Sequence, residues 1–220
     1  MAPVKENKRK YSSAVRDEQA ARTRTRILDA ASELFVDRGY ARTTMSELAQ
    51  RAGVARDTVH AVFGSKARVL TALIDRHLVP DESVANATQT PEAQAVKNEL
   101  DRRRQIELFA DWIAQLSTRL RPTFEILRTA SAVEPEMAGV FAEMDRYRMV
   151  NMQTYAKWFA ARGKLRVGTK RAGEIIWTLA SPDVARMLCD ELGWTEAQHA
   201  RWLADALIRT LLPDDELTGA

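Results

Sequence analysis

The sequence predicts an all-α protein of about nine to ten helices in two domains. Three observations carry that prediction. Apolar residues recur at helical spacing in window after window, and no strand-like alternation of any length interrupts them. Proline and glycine stand where helices open and close: Pro91, Pro135 and Pro182 at predicted first turns, Gly39, Gly53 and Gly193 just past predicted last turns. Two pairs, Thr44 with Glu47 and Thr195 with Gln198, have the spacing of a capping box, in which two side chains each satisfy a free backbone N–H. The predicted layout is a basic extension over 1–19, a helix-turn-helix domain over 20–79 and a C-terminal helical domain over 80–220.

Residues 1–19 are polar and carry Lys5, Lys8, Arg9, Lys10 and Arg16, which predicts a mostly disordered extension. Such a tail either stays solvated or acts as an arm that touches phosphates or enters a minor groove. A first long helix is predicted from Gln19 to Asp37, with Ile27, Ala30, Ala31, Leu34 and Phe35 as its buried stripe and Gly39 as its stop. Arg22, Arg24 and Arg26 near its start either meet phosphates or face water.

The stretch 44–63, TMSELAQRAGVARDTVHAVF, reads as two short helices around a glycine turn. Leu48, Ala49 and Ala52 form the apolar side of the first helix. Val59, Val62 and Phe63 form that of the second, leaving Ala55, Arg56, Thr58 and His60 on a short polar face. A second helix of this kind can enter a major groove. Ser65 caps a fourth helix, Lys66 to Leu78, with Val69, Leu70, Leu73 and Ile74 inward. Residues 80–90 have loop composition and mark the domain boundary.

The segment 91–120 is predicted helical, either continuous or broken near Asn98, with Ile106, Phe109, Ile113, Leu116 and Leu120 as its stripe and Trp112 beside it. Pro122 is expected to break it, and a further helix is predicted over 122–132 with Phe124, Ile126 and Leu127. A long amphipathic helix opens at Pro135 and ends before Gly163. Its stripe of Met137, Val140, Phe141, Met144, Tyr147, Met152, Tyr155 and Phe159 is either core or the wall of an adaptable pocket. Three helices complete the chain: Arg171 to Leu179, Pro182 to Leu192 with Val184, Met187 and Leu188 inward, and one after Thr195 bearing Trp202, Leu203, Ala206, Leu207 and Leu211.

Composition bounds the function. Residues 1–66 carry a net charge of +5 and the remainder −2, so positive charge lies with the helix-turn-helix, where a polyanion would bind. The single cysteine, Cys189, permits no intrachain disulfide. There is no apolar run of the roughly 18 residues a membrane helix needs, and the first residues lack the apolar segment of a secretory signal, so a cytoplasmic protein is expected. His60, His77 and His199 are scattered, and no HExxH, GxSxG, GxGxxG or phosphate-loop pattern occurs. Neither an enzyme nor a metal or cofactor site is expected.

Over about 50 residues the chain resembles the TetR family of bacterial transcriptional regulators. The resemblance rests on Ile27, Ala31, Leu34, Phe35, Gly39, Tyr40, Thr43, Thr44, Leu48, Ala49, Ala52, Gly53, Val54, Thr58, Phe63, Ser65, Lys66 and Leu70. It implies a dimer that binds a palindromic double-stranded operator and responds to a small molecule, most simply as a repressor released by a hydrophobic or aromatic effector. An activator, or a regulator without an inducer, is the alternative. The DNA contacts it implies fall on Thr44, Ala55, Arg56, Asp57, Thr58, His60 and Lys66, with Arg56 able to pair with guanine. His60 stands where the family commonly has tyrosine, and Asp57 where it has a small residue. Candidate effector contacts are Phe109, Trp112, Ile113, Leu116, Phe124, Leu127, Phe141, Met144, Tyr147 and Trp177. The candidate dimer interface lies on the last two helices, at Val184, Met187, Leu188, Trp202, Leu203, Ala206 and Leu207.

Overall fold

The computed structural model describes residues 5–78, 86–132 and 134–216. Among them every regular element is helical. α1 spans Lys5–Arg38, α2 Met45–Ala52, α3 Arg56–Phe63 and α4 Lys66–Leu78. α5 spans Pro91–Asn98, α6 Arg102–Ser131, α7 Pro135–Ala160, α8 Thr169–Leu179, α9 Pro182–Arg186 and α10 Glu196–Leu211. The chain divides into two compact units, Met1–Leu73 and Ile74–Ala220. The division falls inside α4 rather than after it. The loop expected over 80–90 lies partly outside the described residues, and its last part forms a short 3-10 turn, Ala87–Gln89.

In the first unit, Ile27, Ala31, Leu34 and Phe35 of α1, Leu48 of α2, Val59 and Phe63 of α3 and Leu70 of α4 are all buried, with α1 packed on α2 and α2 on α3. The turn after α1 is closed by Gly39, at φ 78°. The buried Thr43 hydroxyl donates to the carbonyls of Gly39 at 3.0 Å and Leu34 at 3.3 Å. α1 begins at Lys5 instead of Gln19, so residues 5–19, expected as a disordered extension, continue the helix. No proline or glycine stands between Val4 and Arg38, and Lys, Glu, Arg, Gln and Ala are strong helix formers that let α1 start early. Residues 1–4 of that extension lie outside the described residues.

In the second unit α6 packs against α7 and α10, and α8 packs against both of these. The core joins Ile106, Phe109 and Trp112 of α6, Tyr155 and Phe159 of α7, Ile176 of α8 and Leu203, Leu207 and Leu211 of α10. Phe109 and Tyr155 meet with tilted rings, centroids 4.7 Å apart. Of the two readings of 91–120, the broken one holds. Asp101 Oδ1 accepts the Arg104 N–H at 2.7 Å and starts α6 afresh.

Pro122 does not break α6, contrary to expectation; the helix runs through it to Ser131. An internal proline costs about 3 kcal/mol through a lost hydrogen bond and a clash. The buried face continues on both sides of it, from Ile113 and Leu116 to Thr123, Ile126 and Leu127, and packing of that face offsets the cost. The helix expected over Pro182 to Leu192 begins as predicted, with Ser181 Oγ accepting the Val184 N–H at 3.1 Å. It loosens after Arg186 into a π-helical turn, Met187–Glu191.

Candidate functional site

Two sites follow from the residues upward: a presented helix in the first unit and a cavity in the second. α2 and α3 are held by end contacts. Thr44 Oγ1 accepts the Glu47 N–H at 3.2 Å, and Glu47 Oε2 accepts the Thr44 N–H at 2.9 Å. Bonds from the Thr44 backbone and hydroxyl, aided by Arg38, hold the Glu47 carboxyl below its usual range. α2 ends at Gly53, φ 63° and ψ 40°, whose N–H reaches the carbonyls of Ala49 and Gln50. A Cβ there would stand 2.7 Å from Arg26 Nη2. That nitrogen donates to the carbonyls of Ala52 at 2.5 Å and Gly53 at 2.9 Å. Arg26 thereby satisfies the last carbonyls of α2, which have no partner inside the helix.

Arg24 lies over the Phe63 ring, 4.8 Å from its centre, and Arg22 pairs with Glu18 at 2.7 Å. The three arginines weighed as phosphate contacts therefore make contacts inside their own unit, and two of them bear on the helix-turn-helix. No local pattern announces this, because the partners of Arg24 and Arg26 are a whole helix-turn-helix away in sequence.

α3 buries Val59 and Phe63 and exposes Ala55, Arg56, Asp57 and His60, with Thr58 half-buried. Thr44 is also exposed. The side chains of Arg56 and Asp57 form no hydrogen bond or ion pair with any described residue. The planar fork of Arg56 is free to take guanine O6 and N7. His60 Nδ1 donates to the Gly64 carbonyl at 3.2 Å. A neutral ring so bonded leaves Nε2 as an acceptor, and only the protonated ring can donate to a phosphate. Lys66 makes contacts within its own unit. Its Nζ donates to the Tyr40 carbonyl at 2.9 Å and stands 4.1 Å from the Tyr40 ring centre, tying the turn after α1 to the start of α4.

The second unit encloses a cavity of about 110 Å³, walled by α4 residues Ile74 and Leu78, by α6, α7 and α9, and by Ala87, Ala180 and Asp190. Of the ten expected effector contacts, Trp112, Ile113, Leu116, Phe124, Leu127, Met144 and Tyr147 line it. Phe109, Phe141 and Trp177 do not. Phe109 is fully buried in the aromatic core, Phe141 backs Phe124 at 5.6 Å between ring centroids, and Trp177 carries the Arg148 guanidinium 4.3 Å over its ring. Ser117 and Asn151 also line the cavity. Both were readable as polar residues on apolar helix faces, since Asn151 falls four residues from both Tyr147 and Tyr155 and Ser117 four from Ile113.

The expected dimer face is only partly available. Leu203 and Leu207 are fully buried in the core of their own chain and cannot also meet a partner. Val184, Leu188, Trp202 and Ala206 are half-buried, while Met187 is 43% and Leu192 65% exposed. The reason is geometric: α10 turns one apolar stripe to α6 and α8, and only the flank of that stripe stays outside.

Comparison with known proteins agrees with this arrangement. The sequence pattern of bacterial regulatory proteins of the tetR family matches residues 27–73. The chain is 35% identical over 120 residues to the HTH-type transcriptional activator FasR of Mycolicibacterium smegmatis, covering 53% of this chain and 50% of that one. It is 32% identical over 128 residues to the probable HTH-type transcriptional regulator ArpR of Pseudomonas putida, covering 56% and 57%. The match thus spans about half the length of these curated relatives. Among solved structures, NalD, the secondary repressor of the MexAB-OprM multidrug efflux pump in Pseudomonas aeruginosa, superposes with a TM-score of 0.68 at 22% identity over 90% of this chain and 99% of that one. The complex of SmeT with triclosan superposes at 0.66 and 23%, over 87% and 92%; SmeT is the repressor of the SmeDEF multidrug efflux pump of Stenotrophomonas maltophilia. These likenesses establish the fold. Among the described residues no helix is long and apolar enough to cross a membrane.

Proposed function

Because this chain belongs to the TetR family of bacterial regulatory proteins, we propose that it is a cytoplasmic, ligand-responsive transcriptional regulator that binds a palindromic operator as a dimer. The observation that carries the reading is the α3 surface: a short helix, fixed at its approach by Thr44, Gly53 and Arg26, that leaves Arg56 and His60 exposed. One such helix reads a few base pairs. Two of them about 34–36 Å apart, related by a two-fold axis, read both halves of an inverted repeat. Arg56 reads a base edge, Thr44 and Thr58 position the helix on phosphates, and Lys66 supports the turn instead of the DNA.

The simplest regulation is repression relieved by a small, mostly apolar molecule in the cavity. α4 supplies the link, since Ile74 and Leu78 at its end line that cavity while its first turns belong to the DNA-binding unit. A ligand shifts the equilibrium only as far as its affinities for the two states differ. Activation is the second reading, favoured by the activator among the relatives; the position of the operator decides between them.

The test is competition binding on the DNA upstream of the gene. Specific DNA should bind about 10³-fold or more tighter than random DNA at physiological salt. Equal affinity for both would overturn the reading. Leu120→Trp, which fills the cavity from a half-buried position, should abolish ligand-induced release and leave operator binding intact.

A further inference from the structure

We propose that the cavity of the second unit selects an uncharged molecule: a ring-sized apolar body with one neutral hydrogen-bonding group that meets Asn151 and Ser117. The proposal rests on the reading of this cavity as the effector site and deepens it.

The wall is apolar except for a few groups, and its charges are already matched. Arg121 pairs with Asp190 at 2.9 Å, and both line the cavity. Arg186 pairs with Glu191 at 2.5 Å, and Glu125 with Arg128 at 2.5 Å. Arg148 donates to the Trp177 carbonyl at 2.6 Å and meets Asp145 at 3.3 Å. Four arginines thus face four carboxylates, so each charge at this wall has a counter-charge, and the buried guanidinium nitrogen left without a partner there, among the described residues, is Arg186 Nε. A carboxylate guest finds the single Arg186 Nε–H and gains a full partner only by displacing one of these carboxylates, and an ammonium guest only by displacing a guanidinium. The paired side chains keep part of their exposure, so the cost falls on the guest: its own charge must leave water for a mostly apolar wall that carries no uncompensated charge.

The neutral polar groups are divided. The Thr123 hydroxyl is taken by His77 Nδ1 at 2.8 Å, and the Tyr147 hydroxyl accepts the Ala87 N–H at 3.3 Å. The side chains of Ser117 and Asn151 have no hydrogen-bond partner among the described residues, and both line the cavity. An amide and a hydroxyl together offer donors and acceptors, so a guest hydroxyl, phenol or amide satisfies both. A guest without such a group leaves them unmet.

Three isosteric probes separate the cases by calorimetry on the full chain: 2-naphthalenemethanol, 2-naphthoate and 2-naphthylmethylammonium. The alcohol should bind about 10-fold or more tighter than either ion, the order of effect expected for burying an unpaired charge. Asn151→Leu should weaken the alcohol and spare 2-methylnaphthalene. Asp190→Asn, which releases Arg121 from its partner, should turn the preference toward 2-naphthoate. An ion that binds as tightly as the alcohol, with binding lost in Leu120→Trp, overturns the selectivity and leaves the effector cavity standing. Binding that persists in Leu120→Trp, or no binding by any probe, overturns both.

Discussion

Replacing Arg26 with alanine should loosen the helix-turn-helix without touching its exposed face. In the native chain Arg26 Nη2 donates to the Ala52 carbonyl at 2.5 Å and to the Gly53 carbonyl at 2.9 Å. A hydrogen bond from a charged donor contributes about 1.5–3 kcal/mol net when well shielded. The Arg26 side chain is largely exposed, and water competes for both carbonyls in the variant, so the pair together contributes about 1–2 kcal/mol. For a unit the size of Met1–Leu73 that corresponds to a melting-point loss of about 4–16 °C. Circular dichroism melts report the loss, and hydrogen exchange of the amides of α2 and α3 locates it. Arg26→Lys keeps the charge but not the planar fork and should recover part of the stability. The contact would be refuted as a support of the turn by unchanged melting together with unchanged exchange protection at Val54 and Val59.

Arg56→Ala should weaken operator binding by about 1–3 kcal/mol and relax selectivity at one base pair; an equal loss on every sequence, in competition binding, would restrict Arg56 to the backbone. Thr44→Ala keeps the backbone bond to the Glu47 carboxyl and removes the hydroxyl bond that also depresses it. A depressed carboxylate stabilises the fold above its unfolded pKa and loses that contribution as pH falls through the folded one, so the gap between wild type and variant should be full near neutrality and close in acid; a gap that stays constant across an acid titration of stability counts against the capping box. Met187→Asp, at an exposed apolar position beside Leu188, should drive a dimer toward monomer in light scattering without lowering the melting point of the monomer; an unchanged molar mass would move the interface elsewhere. Lys66→Met should lower the stability of the first unit and leave the salt dependence of DNA binding unchanged, since its ammonium holds Tyr40; a salt slope flattened by about one would return Lys66 to the phosphate contacts.

The features legible in the sequence are those whose causes lie within one helical turn. Both capping boxes formed as spaced, at Thr44 with Glu47 and at Thr195 with Gln198, because hydroxyl and acceptor sit three residues apart in any helix start. Gly53 was readable for the same reason: only its own backbone angles decide the turn. The exposed face of α3 followed from period alone, since Val59 and Phe63 must go inward together.

What only the tertiary structure decided depends on partners far along the chain. Pro122 looked like a break because a proline acts locally, and α6 passes through it because two buried faces, set by other helices, agree on both sides. Leu203 and Leu207 looked like interface because an amphipathic stripe does not say whether its cover is the same chain or a second copy; here it is α6 and α8. The carbonyls that Arg26 and Lys66 meet in Ala52 and Tyr40 are each 26 residues away in sequence, and only the fold brings them there. The balance of charge around the cavity is of the same kind. Arg121 and Asp190 are distant in sequence, and only the packing of α6 against α9, which the turn bearing Asp190 follows, makes them a pair.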